Sequence, residues 1–252
     1  MRKNVIVWTI SILFMTYADV FAELQSEVNA KEVVMKAEEK VRFMTGHTLL
    51  SMIIETRRWS RKLNLEGWYK DGTRALVTIL APPKEAGKVS LKIDGAMWNY
   101  LPNIGQAIRV HPSAMSQSWM GSDFSNDDLI RETSFVDDYS QTSEGIEDTA
   151  SGKVYRLVLI PHSDASIVWG KVIYLITVKE NLPIRQEFYD EHGALIRVLT
   201  FSDFKVMDGR LIPTVWIMKR SGHEGRTTIV IEGVSFNVDI PDRLFSIKEV
   251  ER

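Results

Sequence analysis

The chain predicts a mainly β protein: an antiparallel meander of roughly ten or eleven strands, one amphipathic helix ahead of it, and one irregular insertion within it. Three observations carry this. Short apolar runs punctuated by Asp-Gly and other glycine-containing turns recur from Thr48 to Phe236, the pattern of successive hairpins. One stretch of helical period, NAKEVVMKAEEKVRFM, precedes them. Between Val110 and Phe135 the strand pattern stops.

The first element is a leader. Arg2 and Lys3 precede the apolar stretch Val5–Tyr17, and Val20-Phe21-Ala22 places small residues where a signal peptidase reads. The stretch is too short to span a bilayer comfortably. A cleaved signal peptide over 1–22 and a single exported domain over 23–252 are therefore expected. The chain contains no cysteine, so it has neither a disulfide nor a thiol to acylate, and its core alone must stabilise it. The net charge is −2 with both signs interspersed, which offers nucleic acid no basic stripe to bind.

In the helix, Asn29 and Glu32 have capping-box spacing, which places the start at Ala30. Ala30, Val33, Val34, Ala37, Val41 and Met44 share one face, and Gly46 ends the helix. Strands follow at Thr48–Trp59 and Lys62–Lys70, separated by a charged turn. Asp71-Gly72 leads into TRALVTILAPP, and Asp94-Gly95 joins Lys88–Asp94 to Ala96–Leu101. Gln106–Val110 returns through the Asn103–Gly105 turn. KVYRLVLIP, KVIYLITVK, PIRQEFYD, ALIRVLTF, LIPTVWIMKR and RTTIVIEGVSF complete the series.

These strands do not alternate cleanly. In ALVTILA, VYRLVLI, VIYLITV and TVWIM apolar residues occupy both faces, whereas a solvated face requires strict alternation. A helix running to Met44, about 24 Å long, covers only part of such a sheet. Either further helices help, or apolar surface faces a cavity. The insertion HPSAMSQSWMGSDFSNDDLIRETSF supplies the covering anchors Met115, Trp119, Met120, Phe124 and Leu129, and Ser125 and Asp128 have capping-box spacing ahead of Leu129. Such a segment is expected to fold over an opening.

Catalytic signatures are missing. There is no GxSxG elbow, HExxH pair, Walker loop or GxGxxG. His47, His111, His162, His192 and His223 show no metal-like spacing. Asp123-x-Ser125-x-Asp127 begins like a calcium loop, but Asp128 stands where glycine is required and Ser134 where the bidentate glutamate belongs. No enzyme activity, cofactor or metal is expected. A membrane barrel would alternate apolar and polar residues. Large apolar residues on strands and insertion are the candidates for lining a cavity: Leu65, Val77, Ile79, Leu91, Trp98, Met115, Trp119, Leu157, Ile176 and Trp216.

Three segments carry a resemblance: MWNYLPNIGQAIRVHPSAM, WMGSDFSNDDL and LPIRQEFYDEHGALIRVLTFSDFKVMDGRLIPTVWIM. In their order and spacing the chain resembles the outer-membrane lipoprotein-sorting (LolA-like) periplasmic proteins, in the branch typified by uncharacterised homologues of spirochaetes and proteobacteria. The resemblance implies a strongly curved antiparallel sheet, an unclosed β-barrel, enclosing an N-terminal helix and a helical lid around a hydrophobic cavity. It implies a monomeric periplasmic carrier that takes acyl chains of lipoproteins or other lipids toward the outer membrane. Its partners would be an inner-membrane exporter of the resistance-nodulation type and an outer-membrane acceptor. A lipid- or lipoprotein-sensing regulatory module of the same fold is the alternative.

Overall fold

The computed structural model describes residues 28–130, 134–163 and 167–251; the expected signal peptide lies outside the described residues. Helix α1 (Ala30–Glu38) leads into a first meander of β1 (Gly46–Glu55), β2 (Ser60–Lys70), β3 (Arg74–Ala81), β4 (Val89–Ile93), β5 (Ala96–Leu101) and β6 (Gln106–Arg109). After the insertion, which contains the short helix α2 (Asn126–Ile130), a second meander follows. It comprises β7 (Tyr139–Thr149), β8 (Gly152–Pro161), β9 (Lys171–Thr177), β10 (Pro183–Tyr189), β11 (Leu195–Met207), β12 (Arg210–Arg220) and β13 (Arg226–Phe236). A one-turn helix α3 (Ile247–Val250) is the last of the described elements.

The two meanders form one antiparallel sheet in the order β6-β5-β4-β3-β2-β1-β13-β12-β11-β10-β9-β8-β7. They join where β1 pairs β13, with Thr48 opposite Val234 and Ile54 opposite Thr227. Strands β6 and β7 are the two edges and do not pair with each other, so the curved sheet stays unclosed. Three tight turns set the hairpin register. Asp71-Gly72, Asp94-Gly95 and Asp208-Gly209 all have positive φ at both residues, the geometry that matches the right-handed twist of paired strands and that Asp-Gly supplies most readily.

The sheet has thirteen strands, not ten or eleven. The strand with no sequence signal is β7, YSQTSEGIEDT, whose side chains are mostly exposed beyond Tyr139. It is an edge strand with only β8 beside it, so little apolar surface is asked of it. The helix is also shorter than its periodicity suggests. Asn29 caps it as expected, its side chain accepting from the Glu32 N–H at 3.1 Å, but the regular turns stop at Glu38. Beyond that point Val41 and Phe43 are drawn across the sheet, where Phe43 stacks on Trp216 with ring centroids 6.3 Å apart and planes 5° from parallel. Tertiary packing overrides helical period there.

Apolar residues occur on both faces because the concave face is covered and so is the outer face of the first meander. On the concave side, Ala30, Val33, Val34 and Ala37 of α1 pack with Leu157, Leu159, Val172, Tyr174, Ile176 and Phe188 of the second meander. On the same side, Trp119 and Phe124 of the insertion pack with Met52, Leu65, Val77 and Met97. The outer face of the first meander is closed by the C-terminal segment: Leu76, Val89 and Leu91 meet Ile240 and Phe245, with Trp98 and Ile247 beside them. A small third cluster of Val154, Ile173 and Leu175 lies on the outer face of the second meander.

Candidate functional site

The connection from β6 to β7 starts at one edge of the sheet and ends at the other, and it crosses the concave face on the way. Pro112–Ala114 and Trp119–Gly121 are single 3-10 turns and Asn126–Ile130 is α2. Met120 and Gly121 both have positive φ, which folds Ser118–Ser125 into a closed loop with Trp119 N–H donating to Phe124 O at 2.8 Å. The expected capping box at α2 is present. Ser125 N–H and Oγ donate to Asp128 Oδ2 at 2.7 and 2.8 Å, and Asp128 N–H donates back to Ser125 Oγ at 3.2 Å.

Under this lid lies a trough of about 230 Å³. Its walls come from β1 (Leu50, Met52), β2 (Leu65), β3 (Ala75, Val77), β12 (Trp216) and β13 (Ile229, Ile231), from Val41 and Phe43 after α1, and from the lid residues Trp119, Phe124 and Leu129. Tyr69, Arg42, Arg74 and Lys92 make it polar at one end. A second groove of about 220 Å³ shares Val41, Arg42, Phe124, Asp128 and Trp216 with it and continues past Phe135, Phe188, Leu199 and Phe201. The trough thus runs on beneath the lid between the two meanders, and each compartment is below the ~300–1,000 Å³ typical of a small-molecule site. The lid's aromatic side chains Trp119 and Phe124 are themselves part of the lining.

Polar ties hold the lid to the sheet at both sides. The Trp119 indole N–H donates to Ser90 Oγ at 3.0 Å on β4, and Arg61 of β2 donates to Met120 O. Thr227 Oγ1 of β13 accepts from Asp123 N–H and donates to Asp123 Oδ2, both at 2.8 Å. Arg220 of β12 donates to the carbonyls of Ser122 and Asp123. The strongest tie is bidentate: Arg197 of β11 donates to both Asp128 carboxylate oxygens at 2.6 Å, with its side chain only 6% exposed and that of Asp128 16%. Arg197 also lies against the rings of Trp169 and Phe188, 4.5 and 4.6 Å from their centroids. Burial would raise the Asp128 carboxyl, but the Arg197 charge, its hydrogen bonds and the Ser125 donors outweigh burial and leave it lowered.

A second titratable group sits where α1 meets the end of the insertion. Glu38 accepts from Phe135 N–H at 3.3 Å and from Ser134 Oγ at 3.5 Å. Burial drives its carboxyl up to about 7, against the opposing pull of the Phe135 N–H, Arg42 and Ser134.

The ten sequence candidates divide by place. Leu65, Val77, Trp119 and Trp216 line the trough. Ile79, Leu157 and Ile176 are buried in the same concave core, which includes α1. Met115 lines a side groove with Val168, Trp169 and Ile196. Leu91 and Trp98, cross-strand partners of each other, belong to the outer cluster against the C-terminal segment and do not reach the trough: strand alternation puts them on the face away from Ser90 and Met97. The reading of the sequence missed Leu50, Met52, Ile229 and Ile231, which the strand pattern could have supplied, and Phe43, Arg197 and Glu38, which it could not. Among the described residues no group of three or more His, Asp or Glu converges as a metal site would.

With this geometry in view the chain can be placed. A family model described as "Uncharacterized protein" matches residues 71–252, more than half of its length. The chain belongs to that family. No curated protein matches it in sequence. Its fold is shared with a DUF1329 family protein from Desulfovibrio piger (TM-score 0.78, 21% identity, covering 88% of this chain and 97% of that one). It is also shared with a domain from Vibrio parahaemolyticus named for outer membrane lipoprotein sorting (0.74, 21%, 89% and 100%). A LolA superfamily protein from Nitrosomonas europaea is similar to the same degree (0.73, 23%, 87% and 98%). The unclosed half-barrel with α1 and the lid inside is therefore a LolA-like fold.

Two outcomes test the ties. Asp128→Ala leaves Arg197 charged and buried without its partner, and urea unfolding should show a loss of about 3–5 kcal/mol; the double variant D128A/R197M should recover part of it. For Glu38, the folded protein keeps the proton up to about pH 7 while an ordinary glutamate releases it near 4.5, so in that window folding takes up a proton and stability falls as pH rises. The Tm of E38Q relative to the wild type should therefore climb from pH 4.5 to about 7 and stay level above it.

Proposed function

We propose that this protein is a periplasmic carrier, exported by the 1–22 leader, whose domain over 23–252 takes acyl chains of lipoproteins or of other lipids into the trough and moves them toward the outer membrane. The observation that carries the reading is the lid. Apolar side chains from both meanders face a space that the insertion fills with Trp119, Phe124 and Leu129, so an entering acyl chain exchanges one set of apolar contacts for another. Burial of a chain contributes about 0.8 kcal/mol per methylene. About ten methylenes would then supply roughly 8 kcal/mol, more than the ~3–5 kcal/mol lost when one buried ion pair is broken. In the exchange this burial offsets the apolar contacts and polar ties that the lid gives up, and those ties favour the lid's return when the chain leaves.

Shape and apolar burial do this work without covalent chemistry, so the protein acts as a monomeric carrier and not as an enzyme. The half-barrel's likeness to a lipoprotein-sorting domain and a LolA superfamily protein supports the same reading. An inner-membrane exporter of the resistance-nodulation type would load it and an outer-membrane acceptor would unload it. Uptake of a fluorescent fatty acid tests the trough. The wild type should bind it, and Ile229→Glu, which puts an unpaired carboxylate on the wall, should weaken binding by at least about tenfold with the fold intact by circular dichroism. Equal uptake by both proteins would remove the trough from the account.

A further inference from the structure

The hairpin between β1 and β2 reads Thr56-Arg57-Arg58-Trp59-Ser60-Arg61-Lys62, cations around a tryptophan with no acid among them. The turn does not need these side chains to form. Thr56 N–H donates to Trp59 O at 2.9 Å; Thr56 Oγ1 donates to the same carbonyl at 3.1 Å and accepts from the Trp59 and Arg58 N–H groups at 3.1 and 3.3 Å. One threonine locks the backbone and leaves residues 57–59 pointing to solvent. Trp59 is 48% exposed and lies outside every apolar cluster among the described residues. The Arg61 guanidinium lies over its ring, 5.9 Å from the centroid.

The acids nearby are already engaged. Glu55 pairs with Arg226 at 2.6 Å, Glu85 with Lys88 at 2.6 Å and Arg61 at 3.3 Å, and Glu224 with Arg57 at 3.5 Å. Among the described residues the side chains of Arg58 and Lys62 have no hydrogen-bond or ion-pair partner. A chain of net charge −2 therefore carries, at one end of its sheet, a rigid positive tip with an exposed indole. The tip also rims a groove of about 530 Å³ whose far wall is Ser122 and Asp123 of the lid.

We propose that this hairpin docks the protein on an anionic lipid surface, with Trp59 at the level of the headgroups and Arg57, Arg58 and Lys62 against the phosphates. Tryptophan favours the bilayer interface, where its apolar ring and polar N–H both find partners, and basic side chains are drawn to an anionic leaflet. An exposed indole among arginines would also suit a protein surface, and vesicles free of protein separate the two. Docking in this pose sets the lid beside the bilayer, and it holds whatever the trough carries.

Vesicle co-sedimentation tests it. The purified protein, its N-terminus read by intact mass because residues 5–17 would themselves enter a bilayer, is mixed with phosphatidylethanolamine vesicles containing phosphatidylglycerol or with phosphatidylcholine vesicles. The proposal expects binding to the anionic vesicles that falls with salt, and little to the neutral ones. Each basic residue near such a surface is worth about fivefold, so R58E/K62E should lower binding at least about 20-fold, and W59S should lower it with the charge unchanged. K179E/K205E alters the same charge at the opposite end of the strands and should bind nearly as the wild type. Absence of binding to anionic vesicles, or an equal loss in K179E/K205E, would overturn the proposal.

Discussion

A sheet whose two edges never meet must still close its concave face, and one piece of chain is placed to do it. The link from β6 to β7 joins the outermost strands of an order that runs β6 through β1 and β13 to β7. It has to traverse the hollow. Every other feature of the site depends on that constraint: the insertion is long, it carries apolar anchors, and it meets strands of both meanders. The anchors fill the space that α1, confined to the second meander, leaves open.

The chemistry of the lid would suit a part that moves, as the proposed carrier role requires. Its apolar contacts are non-directional and can be replaced by any apolar occupant. Its polar ties, by contrast, are few and specific: Trp119 to Ser90, Asp123 to Thr227, Asp128 to Arg197. A buried bidentate pair contributes little net stability compared with an apolar substitute, yet breaking it by removing one partner is costly. That asymmetry suits a latch, because it selects one closed position without requiring the lid to be the most stable part of the fold. Asp128 within the insertion is lowered and Glu38 at the end of α1 is raised, so the latch stays ionised at neutral pH while the contact with α1 titrates there.

Much of this was legible in the residues. The Asp-Gly turns located the hairpins because few other dipeptides accept positive φ at both positions, and the Asn29 and Ser125 caps appear as the spacing predicted. Apolar residues on both strand faces signalled that more than the one helix must cover the sheet, and the insertion and the C-terminal segment do so. The exposed edge strand β7 escaped because it has almost no apolar face to announce it, and the end of α1 because the partner that Phe43 stacks on, Trp216, lies far along the chain. Which face each strand turns inward was the weakest point. Leu91 and Trp98 look like cavity residues, and only the position of the C-terminal segment, far along the chain, assigns them to the outer side. The acids of WMGSDFSNDDL read as a failed calcium loop; their use as ties depends on Arg197, Arg220 and Thr227, more than sixty residues away in the chain.

The central claim, that the trough beneath the lid holds acyl chains, is tested most directly by native mass spectrometry of the protein purified from an envelope fraction. The account predicts a bound species that releases an acylated molecule on collisional activation, and that is diminished in Ile229→Glu. A wild-type protein that carries no such species, whether isolated from the envelope or after incubation with lipid, would contradict it.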